Sequence, residues 1–200
     1  MTNKITTSSV NVRKGIYFLP SLFTIGGLFA GFYSIVASTK GLFLPAATCV
    51  FIAMLCDGLD GRVARLTQTQ SEFGAQLDSM SDMVCFGIAP ALMMYLWSLS
   101  VLGKIGWLSA FWFAVCTALR LARFNAKGES DDKVYFKGLA SPLAAAFVAS
   151  FVWTFSAFRF DQGYLPYFMG AIMLVVGVLM VSEVPYRSFK NFDLRKNVSF

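Results

Sequence analysis

Apolar residues run for long distances along this chain without a charge, and polar residues gather in a few short blocks. Stretches free of Asp, Glu, Lys and Arg cover 15–39, 41–56, 83–103, 105–119, 138–158 and 162–182. Crossing a hydrocarbon core of about 30 Å takes roughly 20 helical residues, and the stretches 41–56 and 105–119 reach that length if their helices continue into the charged residues that begin at Asp57 and Arg120. The pattern therefore predicts an all-α polytopic membrane protein with six transmembrane helices. The first four are expected near 17–38, 43–65, 74–101 and 105–124. The fifth is opened or bent by Ser141-Pro142, since proline suits a helix start or a kink, and the sixth lies near 165–184. A Lys40-Gly41 turn is expected between the first two, and a polar turn over 66–73 before the third.

Composition sharpens this reading. The chain is 56% hydrophobic and 14% charged, too few charges to cover the outside of a soluble helical protein. Basic residues also divide unevenly: with 1–14, 57–82, 120–137 and 183–200 on one side, only Lys40, Lys104 and Arg159 of the 17 Lys and Arg residues fall on the other. By the positive-inside rule that larger share, with both termini and the acidic region, is cytoplasmic. The net charge of +6 follows topology instead of forming a basic domain, which argues against nucleic-acid binding and for contact with anionic lipid or phosphate. The first apolar stretch is too long for a signal peptide and lacks a small-residue cleavage site, so it is expected to stay as a membrane helix. We expect one integral-membrane catalytic domain over 1–200, with an interfacial, cytoplasmic lead at 1–14 and a cytoplasmic tail at 185–200.

Candidate chemistry is narrow. Histidine is absent, which removes a histidine base and the Ser-His-Asp arrangement and leaves carboxylates for proton transfer. Cys49, Cys56, Cys85 and Cys116 lie in or beside apolar segments without zinc-type pairing, and read as buried free thiols. Asp57, Asp60, Asp78 and Asp82, by contrast, crowd one membrane edge. On helices, Asp57 and Asp60 stand at i,i+3, Asp57, Gly61 and Ala64 share a face, and Asp78 and Asp82 stand at i,i+4. Clustered carboxylates repel unless protonated, wetted or neutralised. Two Mg²⁺ or Mn²⁺ ions would satisfy them, with Asp57, Asp60 and Asp78 as ligands and Asp82 either completing the site or acting as a base. Such a centre suits phosphoryl transfer or pyrophosphate cleavage.

The full run Asp57-x2-Asp60-Gly61-x2-Ala64-Arg65-x8-Gly74-x3-Asp78-x3-Asp82 resembles the signature of the CDP-alcohol phosphatidyltransferase family. The resemblance implies that family's membrane fold and transfer of a phosphatidyl group from CDP-diacylglycerol to an alcohol with release of CMP. It also implies a two-metal centre at Asp57, Asp60, Asp78 and Asp82, with Asp82 as general base, a cytidine-nucleotide surface at Gly61 and Ala64, polar support from Arg65, and a homodimer. Further segments resemble the bacterial and archaeal branch of the family that makes phosphatidylserine in phospholipid biosynthesis. With Asp57 through Arg65, they are Leu19-Pro20-Ser21-Leu22-Phe23-Thr24, Thr69 to Gly74, Leu77 to Asp82, Ala122-Arg123-Phe124-Asn125, Phe136 to Pro142 and Pro185 to Lys190. This implies L-serine as acceptor and adds Thr24 to the ligand-binding residues. Arg120, Arg123 and Lys137 are candidates for a lipid phosphate or the serine carboxylate, with the positive-inside bias as their plain alternative. A phosphorylated acceptor, glycerol 3-phosphate or inositol phosphate, would need a further anion pocket. A non-catalytic lipid-binding or transport protein would bind CDP-diacylglycerol without releasing CMP.

Overall fold

The uncharged stretches fold into helices whose ends are set by local signals. The computed structural model describes residues 8–67, 71–126, 135–158, 163–182 and 185–187. Helix α1 (Ser8–Thr39) stops at Lys40-Gly41, where Gly41 takes φ 73° and the N–H of Leu42 returns to the Ala37 carbonyl at 2.9 Å. Such a left-handed closure is easy only for glycine. Helix α2 (Phe43–Leu66) then runs back alongside α1, the most extensive helix pair of the fold. It continues through the charged run from Asp57, as the length argument requires.

Helix α3 (Glu72–Asp82) is opened by Ser71, whose hydroxyl accepts from the Gly74 N–H at 3.0 Å, an N-cap contact. It passes without a break into a π-helical turn (Met83–Ile88) and helix α4 (Ala89–Trp97), and a 3₁₀ turn (Leu99–Leu102) leads to α5 (Lys104–Ala126). Helices α6 (Ser141–Phe158) and α7 (Leu165–Val181) complete the bundle. Strands β1 (Tyr135–Lys137) and β2 (Pro185–Arg187) pair antiparallel, Phe136 opposite Tyr186. No periodicity along the chain marks this small ladder.

The expectation of six membrane-spanning helices is corrected. Among the described residues four helices are long and apolar enough to cross: Ser21–Thr39, Phe43–Leu66, Glu72–Trp97 and Lys104–Ala126. Apolar helices Ser141–Ser156 and Leu165–Val181 are shorter. At about 1.5 Å per residue they span about 25 Å, less than the roughly 30 Å core. An uncharged stretch overstates its helix when backbone turns consume its ends. In 138–158, Gly138 takes φ 83° and Leu139 bonds the Leu179 carbonyl at 3.1 Å, so the helix starts only at Ser141. In 162–182, α7 begins at Leu165 and ends at Val181.

The molecule is all-α apart from the ladder, and its polarity is that of an integral membrane protein. Phe29, Phe32, Leu55, Ile105 and Phe111 point outward, whereas Ser34, Ser38, Thr117 and Ser141 are buried. The α1–α2 seam is built from small residues, Ala30, Ala37, Ala46, Ala47 and Ala53, which let helix backbones approach in lipid. Helix α1 also packs against α3, so it bridges the two helices that carry the aspartates.

Candidate metal and nucleotide-lipid site

Three helices contribute the site. The last turns of α2 bring Asp57 and Asp60, α3 brings Asp78 and Asp82, and α1 supplies the floor with Thr24 and Gly27. With Ala53, Ser81, Cys85 and Phe86 these residues line a small cavity. Asp57, Asp60 and Asp78 each offer an oxygen, and those oxygens all lie within 4.8 Å of one another. Asp60 is buried and the other two are half-buried. Thr24 Oγ1 donates to Asp60 Oδ2 at 2.9 Å, fixing that carboxylate. Asp82 stands on the same cavity wall, hydrogen-bonded to Asp57 and under the charges of Asp57, Asp78 and Asp60 on one side and Arg120 on the other.

The trio's own repulsion shows what it can hold. At an effective dielectric of about 20, two like charges about 5 Å apart cost about 3 kcal/mol, so three ionised pairs cost on the order of 10 kcal/mol, as much as the net stability of a whole domain. A divalent cation turns this cost into attraction, and an all-oxygen donor set is the kind Mg²⁺ and Mn²⁺ prefer. The residues present therefore fit a hard divalent metal.

Short-side-chain packing keeps the two acidic helix ends in place. Ser81 Oγ donates to the Thr24 carbonyl at 3.3 Å and Cys85 Sγ to the Gly27 carbonyl at 3.2 Å. A Cβ on Gly31 would meet Cys85 Sγ at 2.6 Å. The Gly27-to-Gly31 small-residue motif is thus occupied within the chain, by α2 and the π-helical turn. Ser79 and Asn125 exchange hydrogen bonds at 3.0 and 3.2 Å, joining α3 to the end of α5. Ser79, Ser81 and Asn125 had no assigned role in the sequence reading. Their signal was only that small polar residues flank Asp78 and Asp82, which does not distinguish packing from ligand contact.

The remaining candidates spread outward. Gly61 is exposed, and a Cβ there would meet nothing within 4 Å, so open space adjoins the backbone. Ala64 is half-buried, while Arg65 is exposed and bonds the Gly61 carbonyl through Nε at 2.8 Å. Arg120 is half-buried and donates to Ser141 Oγ at 2.6 Å. Arg123, exposed, donates to the Val181 carbonyl at 3.0 Å and so closes the end of α7. Lys137 lies on β1, with its side chain outside the described residues. The aspartates and Thr24 line one cavity, Arg120 acts on Asp82 through its charge, and Arg123 gives one arm to a helix terminus.

This arrangement, carboxylates from two helices facing one cavity, agrees with a comparison of the whole sequence. The profile of the CDP-alcohol phosphatidyltransferase family matches residues 17–182. The chain belongs to that family. Among similar proteins of the family, the CDP-diacylglycerol–serine O-phosphatidyltransferase of Helicobacter pylori is 38% identical over 175 residues, covering 88% of this chain and 74% of the relative. The protein of the same name from Methanocaldococcus jannaschii is 34% identical over 161 residues, 79% of this chain and 71% of its own length. That of Bacillus subtilis is 30% identical over 178 residues, covering 86% and 92%. The matched span contains all four aspartates and every helix from α2 to α7.

Proposed function

We propose that the protein is a CDP-diacylglycerol–serine O-phosphatidyltransferase, converting CDP-diacylglycerol and L-serine to phosphatidylserine and CMP in phospholipid synthesis. The observation that carries this reading is the agreement of bacterial and archaeal relatives on one activity across most of the chain, joined to a cavity with the carboxylates such a transfer needs.

Asp57, Asp60 and Asp78, with Asp82, would hold two Mn²⁺ or Mg²⁺ ions, which would supply positive charge to screen the diphosphate and stabilise departing CMP. Gly61 and Ala64 leave room for the cytidine nucleotide, with Arg65 as support. Asp82 takes the proton from the serine hydroxyl as its oxygen bonds to the lipid-side phosphorus. The bond from that phosphorus to the oxygen of CMP breaks, and the phosphoryl group stays with the diacylglycerol. Arg120, Arg123 and Lys137 offer positive charge for the lipid phosphate or the serine carboxylate. Positioning and electrostatics provide most of the acceleration.

The chain acts as one catalytic domain in the cell membrane, with the acidic site and both termini towards the cytoplasm, and associates as a homodimer. The decisive assay supplies purified protein with CDP-diacylglycerol, Mn²⁺ and each acceptor in turn. Phosphatidylserine and CMP are expected with serine alone. Robust phosphatidylglycerophosphate from glycerol 3-phosphate instead would reject the acceptor.

A further inference from the structure

The first residue of α6 is a serine whose hydroxyl serves another helix. Ser141, fully buried, accepts the 2.6 Å hydrogen bond from Arg120 Nη1 of α5. One arm of the guanidinium is thereby pinned between two helices, while its Nε is buried with no protein partner. A buried, charged N–H is costly to leave unmade. The charge of this arginine also reaches Asp82 on the cavity wall. A fixed cation with an unpartnered N–H therefore stands beside Asp82 of the cavity where a diphosphate and an amino-acid carboxylate are proposed to meet.

We propose that Ser141 is a positioning residue: by holding one arm of Arg120, it fixes the remaining N–H donors to receive an oxyanion of bound substrate next to Asp82. This rests on the phosphatidyl transfer to serine proposed above. The oxyanion is the carboxylate of the amino-acid acceptor or a phosphate of the nucleotide-lipid donor, which present the same paired oxygens to a planar guanidinium fork. Without the hydroxyl, Arg120 keeps its charge but loses the restraint that aims it, so substrate binding weakens while the aspartate trio is untouched.

The test uses the full chain in mixed micelles with Mn²⁺, varying each substrate separately. Ser141→Ala is expected to lower kcat/KM about ten- to a hundredfold, the size of one charge-assisted hydrogen bond. A rise confined to the KM for serine assigns the carboxylate, and a rise confined to the KM for CDP-diacylglycerol assigns the phosphate. Ser141→Thr, which keeps the hydroxyl, recovers most of the loss, and Ser141→Ala adds nothing further in an Arg120→Ala background. Wild-type kinetics in Ser141→Ala, equal damage from Ser141→Thr, or an undiminished effect of Ser141→Ala without Arg120 would each overturn the proposal. Should Ser141→Ala not fold, Arg120→Lys probes the same contact with charge retained and the fork lost. A raised KM at an unchanged melting temperature supports the assignment, and unchanged KM values defeat it. Wild-type protein that makes no phosphatidylserine would instead reject the acceptor reading and leave the Arg120–Ser141 contact to be tested with whichever acceptor it uses.

Discussion

Asp82 differs from the other aspartates in its surroundings. Asp57, Asp60 and Asp78 bring oxygens within 4.8 Å of one another, whereas Asp82 meets that group through a hydrogen bond to Asp57 and also lies under the charge of Arg120. Separate losses are expected. Asp57→Asn or Asp78→Asn removes a charge from the tight group, so Mn²⁺-dependent binding of CDP-diacylglycerol should weaken along with turnover. Asp82→Asn should retain nucleotide binding while turnover falls by about 10²–10⁴, the usual worth of a general base; titration with Mn²⁺ and a CMP-release assay measure the two effects. Normal turnover in any of these variants would remove its residue from the mechanism. Gly61 allows a second dissection. A methyl group there meets no protein atom within 4 Å, and alanine is favoured over glycine inside a helix by about 1 kcal/mol. Gly61→Ala should therefore melt no lower than the parent yet bind CDP-diacylglycerol less well. An unchanged KM would mean that the nucleotide lies elsewhere.

Between elements, the decisive contact is the close passage of α1 over the π-helical turn. Residues four apart on a straight α-helix drift around it, because a turn takes 3.6 residues. The wider turn at Met83–Ile88, where the Ala89 N–H reaches the Val84 carbonyl, offsets that drift. Ser81, Cys85, Ala89 and Met93 accordingly all remain buried, and the helix stays against α1 along its length. Gly31→Ala would push a methyl group to 2.6 Å from Cys85 Sγ. We expect it to destabilise the fold by about 1–3 kcal/mol, as overpacking does, and Cys85→Ala to relieve part of that loss, both read from thermal melts in detergent. These results also locate the limit of the sequence reading. The helices carrying the aspartates were legible because long uncharged stretches and i,i+3 or i,i+4 spacing carry a strong signal, and α2 and α5 do run on through Asp57 and Arg120. The π-helical turn was not legible: it changes hydrogen-bond partners without changing residue type. Nor was the ladder, since three residues on each strand have no periodicity to detect. Ser141 was read as a helix opener, which it is, but its bond to Arg120 joins residues 21 apart in sequence.

At the scale of the whole molecule, hydropathy identified an integral membrane protein but overcounted its crossings. Charge-free length measures what lipid tolerates, while a crossing requires helix. Gly138 turning beneath the end of α7 ends that equivalence at one of the two short helices. The distribution of charge survives the correction. Lys40 lies in the α1–α2 turn and Lys104 at the start of α5, at the ends opposite the aspartates, whereas Arg62, Arg65, Arg120 and Arg123 lie towards the aspartate ends of their helices. Arg159 falls outside the described residues. We propose from the positive-inside bias that the acidic site is cytoplasmic, which makes a direct prediction. In right-side-out membrane vesicles, Lys40→Cys should react with an impermeant maleimide without permeabilisation, and Thr67→Cys, just beyond the end of α2, only after it. The native thiols supply the background: Cys85 and Cys116 are buried and Cys49 and Cys56 half-buried, so the parent chain should label weakly under both conditions. The reverse pattern would put the aspartates outside the cell, away from the compartment in which CDP-linked lipid precursors are made from CTP, and the proposed activity would lose its donor.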